Sequence, residues 1–195
     1  MKTFKYSETQ KLFGKAAKVM PCGIYGHYSP APLVPPTDYP FFTASAKGSR
    51  FRDIDGNEFI DYMCAYGPMV TGYSNPKVDA AAQKQMKAAN CVTGVPPVMV
   101  ELAEYMTDLI PSADWAFFAK NGGDVTNYAV MIARAATERK KILMVAGGYH
   151  GVAPWMQGEG HHGVLDDDKA NVLTVKWNDI QDFEKIVSDN RGEIA

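Results

Sequence analysis

The sequence predicts an α/β chain, on three observations. Across residues 117–151, reading FFAKNGGDVTNYAVMIARAATERKKILMVAGGYHG, an apolar run meets a glycine pair, a helical pattern opens behind it, and a second apolar run ends in a glycine-rich turn carrying Tyr149 and His150. Further on, 172–175 reads as a strand and 179–187 as a helix with Ile180, Phe183 and Val187 inside. Upstream, the alternation over 41–66 is broken by Asp55-Gly56-Asn57, a hairpin turn signature, so two or three short antiparallel strands are expected there.

Taken in order, residues 7–19 carry a helical pattern with Leu12, Ala16 and Val19 on one side and Lys11, Lys15 and Lys18 around the rest. The following run, MPCGIYGHYSPAPLVPPTDYP, is too rich in proline for regular helix and favours an extended path. Ile24, Tyr25, Tyr28, Leu33 and Val34 make it too apolar for a solvated linker, so it is expected to lie over a surface. Asn75-Pro76 opens a helix reaching about Ala89, with Pro76 suited to the first helical position and Val78, Ala81, Ala82 and Met86 facing inward. A further helix over 98–109 stops at Pro111. Residues 115–119 have strand composition, and the helix behind the glycine pair is expected from Asp124, with Val125, Tyr128, Ala129, Ile132, Ala133 and Ala136 at helical spacing. At the end, Ile194 and Ala195 read as the opening of an apolar strand.

Composition narrows the function classes. With 195 residues, one domain or slightly more is expected, and a net charge of −2 gives no reason to expect nucleic acid or an anionic membrane as partner. No apolar run approaches the ~20 residues of a membrane span, and MKTFKYSETQ lacks the apolar core of a signal peptide, which predicts a cytoplasmic chain. Cys22, Cys64 and Cys91 are odd in number and far apart, so neither a disulfide framework nor a zinc site is indicated, and buried or half-buried thiols are expected. The adjacent His161 and His162, near the acidic run 166–168, point in different directions on any regular element. Among Gly158, Gly160 and Gly163 they read as a solvated flap, and no metal is expected.

The chemistry rests on the glycine pair. The first N–H groups of a helix have no intrahelical partner and lie at the positive end of its dipole, so a phosphate can bind the Gly122-Gly123 backbone with little side-chain help. A βα turn capped by Asp124 accounts for the same residues. A non-catalytic phosphate- or nucleotide-binding module is the alternative reading, although neither G-x-G-x-x-G nor G-x-x-x-x-G-K-[ST] is present.

The order NGGDVT, ARAAT, KILMVAGGYHG is similar to the class III aminotransferases of pyridoxal phosphate fold type I, with their N-S-G-T-E-A, A-R-x-x-T-G-R and Y-H-G segments. The block KGSRFRDIDGNEFIDYMCAYGPMVTGYSNPKV resembles the same family's G-x-x-L-x-D-x-D-G-x-x-Y-I-D-Y segment, and its Gly67-Pro68-Met69 points to the glutamate-1-semialdehyde aminomutase-like branch. The resemblance begins at about Met20. It implies an incomplete fold type I chain: 1–50 a helix and pocket-lining extended segment, 51–110 a hairpin and linking helices, 111–195 the start of a mixed, mostly parallel sheet domain that binds the cofactor. Pyridoxal 5'-phosphate is the implied cofactor, with Asn121, Gly122, Gly123 and Asp124 at the phosphate loop, Tyr149 over the ring and His150 nearby. Tyr25, His27 and Tyr66 are implied to line the substrate pocket.

The family's Schiff-base lysine matches no lysine here, Lys120 reading as a solvated strand-end residue, so this segment alone is not expected to transaminate. A C-terminal portion, a second copy in a homodimer and a small amino substrate are the implied partners. Two departures stand out. Asp124 stands in the phosphate loop where the family carries a hydroxyl, and like charges there repel. The branch's substrate-binding arginine is missing from 21–29, and Tyr66 replaces a tryptophan, which points away from glutamate 1-semialdehyde and toward an amino acid, an amine or an amino sugar.

Overall fold

The structure, a computed structural model, describes residues 3–24, 39–158 and 160–195. The extended proline-rich run with Tyr25 and His27, and the Cys22 side chain, lie outside the described residues. The chain forms two compact units, Met1–Pro96 and Pro97–Ala195. The first boundary of the three-part division read from the sequence, 50/51, falls inside the strand Arg50–Asp53, and the helix Pro97–Leu109 groups with the second unit.

In the first unit α1 (Ser7–Ala16) precedes an antiparallel sheet of β1 (Thr43–Lys47), β2 (Arg50–Asp53) and β3 (Glu58–Ile60), in that order. The turn after β2 is closed from inside. Asp53 is fully buried and accepts from Asn57 N at 2.8 Å and from Asn57 Nδ2 at 2.7 Å, while the same Nδ2 donates to Lys5 O. Gly56, at φ 83°, makes the left-handed step. Phe59 stacks between Phe4 and Phe51 with ring centroids 4.9 and 5.1 Å apart. The tip of this turn also caps α1: Tyr6 offers no side-chain cap, and Asp55 instead accepts from the N–H groups of Glu8 (2.7 Å) and Thr9 (2.8 Å) and from the Thr9 hydroxyl (2.6 Å). That contact turns Thr9 and Ala16 inward and leaves Leu12 and Val19 exposed, correcting the face expected from periodicity.

Beyond β3 the chain makes a left-handed turn. Cys64, Ala65 and Tyr66 have φ of 49°, 50° and 65°, a conformation costing about 1–2 kcal/mol per residue unless held. Asp61 holds it by accepting from Met63 N, Cys64 N and the Tyr73 hydroxyl. Then α2 (Pro76–Ala88) opens with Asn75 as its cap, as expected, but none of its residues is buried and Val78 and Met86 face solvent. Cys64 is half-buried and Cys91 exposed, so burial of that thiol is also corrected.

The second unit contains α3 (Pro97–Leu109), α4 (Gly122–Thr137), β4 (Ile142–Val145), α5 (Asp166–Lys169), β5 (Val172–Val175) and α6 (Ile180–Asp189). β4 pairs in parallel with β5 from Ile142↔Val172 to Val145↔Val175. On the other edge of β4 a parallel bridge joins Lys141 to Ile194, through Lys141 N to Glu193 O (3.1 Å) and Ala195 N to Lys141 O (2.8 Å). This isolated bridge stands just before β4, on the side away from β5. Ile142, Val175 and Met156 form the buried apolar centre among the described residues. Two expectations fail. Residues 115–119 form no strand, because no described strand lies beside them to complete a ladder, and Trp115 and Phe117 are exposed. Ile180, Phe183 and Val187 of α6 are also exposed, the helix having no cover over that face among the described residues.

Candidate active site

The site is built on the N-terminus of α4. Asn121 is extended (φ −149°, ψ 169°) and its Oδ1 accepts from Asp124 N at 3.0 Å, while its Nδ2 donates to Asp124 Oδ2 at 3.0 Å. Asn121 is thus the cap, and Asp124 is the residue that fixes its amide. This corrects the reading of Asp124 as the cap and starts the helix two residues earlier. Gly122 and Gly123 form the first turn, and their N–H groups precede any intrahelical acceptor. Thr126 donates its hydroxyl to Gly122 O at 2.8 Å.

The turn after β4 comes up against this helix end backbone to backbone. A Cβ on Gly151, which has φ 135°, would lie 2.9 Å from the Cα of Gly123 and 2.5 Å from the sulfur of Met156. Only a glycine allows that approach. Within the turn Gly148 N donates to Val145 O, and the His150 ring folds back on Gly148, where an added Cβ would meet Nε2 at 2.9 Å. Nε2 of His150 is buried with no hydrogen-bond partner among the described residues. Tyr149 presents its side chain at 61% exposure.

A cleft of about 400 Å³ lies between the two segments, lined by Asn121, Gly122, Gly123, Thr126, Tyr149, His150, Gly151 and Val152. Five of the six residues assigned to the cofactor from the sequence meet there. Asp124 does not line it, its carboxylate being turned to Asn121, so the expected charge conflict is absent from the cleft wall. Thr126, Gly151 and Val152 line it and were missed; Thr126 was detectable as the hydroxyl one turn beyond Gly122 on the same helix face. Tyr66 belongs to the first unit, on its left-handed turn and largely exposed. Lys120 is exposed beside the cap. His161 and His162 are exposed, and no group of three or more potential metal ligands occurs among the described residues.

A helix end with free N–H groups, two glycines that open the backbone, an aromatic side chain facing the same cleft and an orphaned imidazole nitrogen fit a phosphorylated planar ligand in size and chemistry. The cleft lies at the carboxyl end of β4, the side of a parallel α/β sheet where ligands bind. Residues 34–179 match the Aminotransferase class-III family, and the chain belongs to that family, whose enzymes depend on pyridoxal phosphate. It is 41% identical to an aminopentol aminotransferase of Sphingopyxis macrogoltabida over 93% of this chain and 42% of that protein. It is 34% identical to a glutamate-1-semialdehyde 2,1-aminomutase of Methanosphaera stadtmanae over 98% of this chain and 46% of that protein. The FumI protein of Sphingopyxis sp. MTA144, solved in its PLP internal aldimine form, superposes with a TM-score of 0.85 at 41% identity, over 95% of this chain and 44% of that one. The chain thus spans under half the length of the relatives it matches.

Proposed function

We propose that this segment supplies the phosphate-binding and ring-stacking side of a pyridoxal phosphate-dependent aminotransferase or aminomutase that acts on an amine, an amino acid or an amino sugar. The observation that carries the reading is the single cleft shared by the N-terminus of α4 and the turn bearing Tyr149. When bound, the cofactor supplies an electron sink for bonds at the substrate's amine-bearing carbon. The N–H groups of Gly122 and Gly123 hold the phosphate, and Asn121 keeps that helix turn in place. Thr126 stands in the cleft as the nearest hydroxyl. Tyr149 covers the ring and fixes its plane, excluding water from that face. His150 offers Nε2 to a polar group of the ligand. The lysine that carries the cofactor lies in the part of the enzyme beyond this segment, so residues 1–195 alone do not transaminate, and the working enzyme is a homodimer.

The missing substrate arginine and the similarity to an aminopentol aminotransferase together favour an amine without a carboxylate beside it. The test is a pyridoxal phosphate titration of the protein expressed from its full reading frame, followed by visible absorbance. Tyr149→Ala weakens retention by about 1–3 kcal/mol, the scale of a lost aromatic contact. Unchanged affinity removes Tyr149 from the site.

A further inference from the structure

Asn127 stands one turn beyond Gly123 on α4 and reaches the segment that follows the Tyr149 turn. Its Nδ2 donates to Gly123 O at 3.1 Å, and its Oδ1 accepts from the Trp155 indole N–H at 2.8 Å. Trp155 sits in the short 3₁₀ turn Pro154–Met156, whose Met156 is 3% exposed and packs on Gly151. Indole N–H is a donor only, so the Asn127 amide is oriented from both ends. Two contacts therefore join the helix end to this segment, Gly123 against Gly151 and the chain of hydrogen bonds from Gly123 through Asn127 to Trp155, while Met156 packs on Gly151 within the segment.

We propose that Asn127 is a positioning residue, whose bridge from Gly123 to Trp155 sets the separation between the helix end and the Tyr149 turn. The inference rests on the cofactor reading above. A ligand gripped at its phosphate by one segment and at its ring by the other has a fixed length, so small changes of that separation cost affinity. A ligand held by the helix end alone does not sense it.

That contrast supplies the experiment. The protein from the full reading frame is titrated, ligand-free at the start, with pyridoxal phosphate and separately with inorganic phosphate. Trp155→Phe weakens pyridoxal phosphate binding about 3- to 10-fold, the range for one lost hydrogen bond, and Asn127→Ala, which also loses the bond to Gly123 O, weakens it at least as much. Inorganic phosphate binding stays within about 2-fold, the double variant binds no worse than Asn127→Ala, which already loses both bonds of the bridge, and the absorbance maximum of the bound cofactor shifts in all three. Should Asn127→Ala fold poorly, Trp155→Phe removes the bond to Asn127 Oδ1 while the bond from Asn127 to Gly123 O remains. Equal weakening of both ligands makes Asn127 merely structural and overturns the proposal, as does unchanged pyridoxal phosphate affinity in the variants. A wild-type protein that takes up phosphate but no pyridoxal phosphate overturns the cofactor reading itself, and this inference with it.

Discussion

Replacing Gly151 by alanine tests the geometry of the cleft most directly. At φ 135° an alanine is strained by about 1–2 kcal/mol. Its Cβ also falls 2.5 Å from the buried Met156 sulfur and 2.9 Å from the Gly123 backbone, and forcing a methyl group into such a contact costs about 1–3 kcal/mol. The two add to roughly 2–5 kcal/mol, because backbone at Gly123 cannot rotate away as a flexible side chain would. Gly122 is the internal control. A Cβ there meets nothing within 4 Å and the residue is helical, so Gly122→Ala costs no stability in the ligand-free protein. Gly123→Ala falls between, its Cβ 3.2 Å from Asn121 Oδ1. Denaturant unfolding followed by tryptophan fluorescence, with Trp155 as a nearby reporter, measures the series. If Gly151→Ala unfolds at the same denaturant concentration as Gly122→Ala, the backbone contact between the two segments is wrong.

Three further outcomes are expected. Asp55→Ala removes the cap of α1 and costs about 1 kcal/mol, read as faster amide exchange at Glu8 and Thr9. Burial opposes ionisation of Asp55, but the Thr9 hydroxyl, the Glu8 and Thr9 N–H groups and the Ser7 hydroxyl outweigh it and hold its pKa below that of an unfolded-chain aspartate; protection of α1 is therefore full above the unfolded value, is lost as pH falls through the lower folded pKa, and shows no such step in the variant. Asp124→Ala loosens the Asn121 amide at a cost under about 1 kcal/mol yet changes pyridoxal phosphate affinity less than about 2-fold, whereas a large change would put its carboxylate in the cleft. Residues 1–195 produced alone associate with themselves, since Trp115, Phe117, Val78 and Ile180 are uncovered; a monodisperse monomer in light scattering refutes this.

Local chemistry made much of this legible. The strand over Val172–Val175, the turn around Gly56, the Asn75 cap and the glycine pair are set by near neighbours in the chain, and the structure places them where the pattern did. Faces were harder. Periodicity in α2 and α6 identifies a stripe that needs a partner, but carries no information on whether one is within reach, and Val78 and Phe183 stay exposed. Asn121 and Asp124 are both good caps three residues apart, and composition alone does not choose between them. Asn121, Gly122, Gly123, Tyr149 and His150, which share one motif in the sequence, line one cleft, whereas the turning away of Asp124 depends on a rotamer. The bond from Trp155 to Asn127 joins residues 28 apart, and nothing in either stretch announces the other.

The remote cap on α1 has a consequence for the order of events on the ribosome. A ten-residue helix is marginal by itself, and the carboxylate that completes its first turn is 46 to 48 residues away in sequence. The N-terminal segment thus leaves the exit tunnel before its cap has been made, and settles into a lasting helix only after the β2–β3 turn has been synthesised and closed around Asp53. Among the described elements, α1 is translated before the others and is one of the later ones to become permanent.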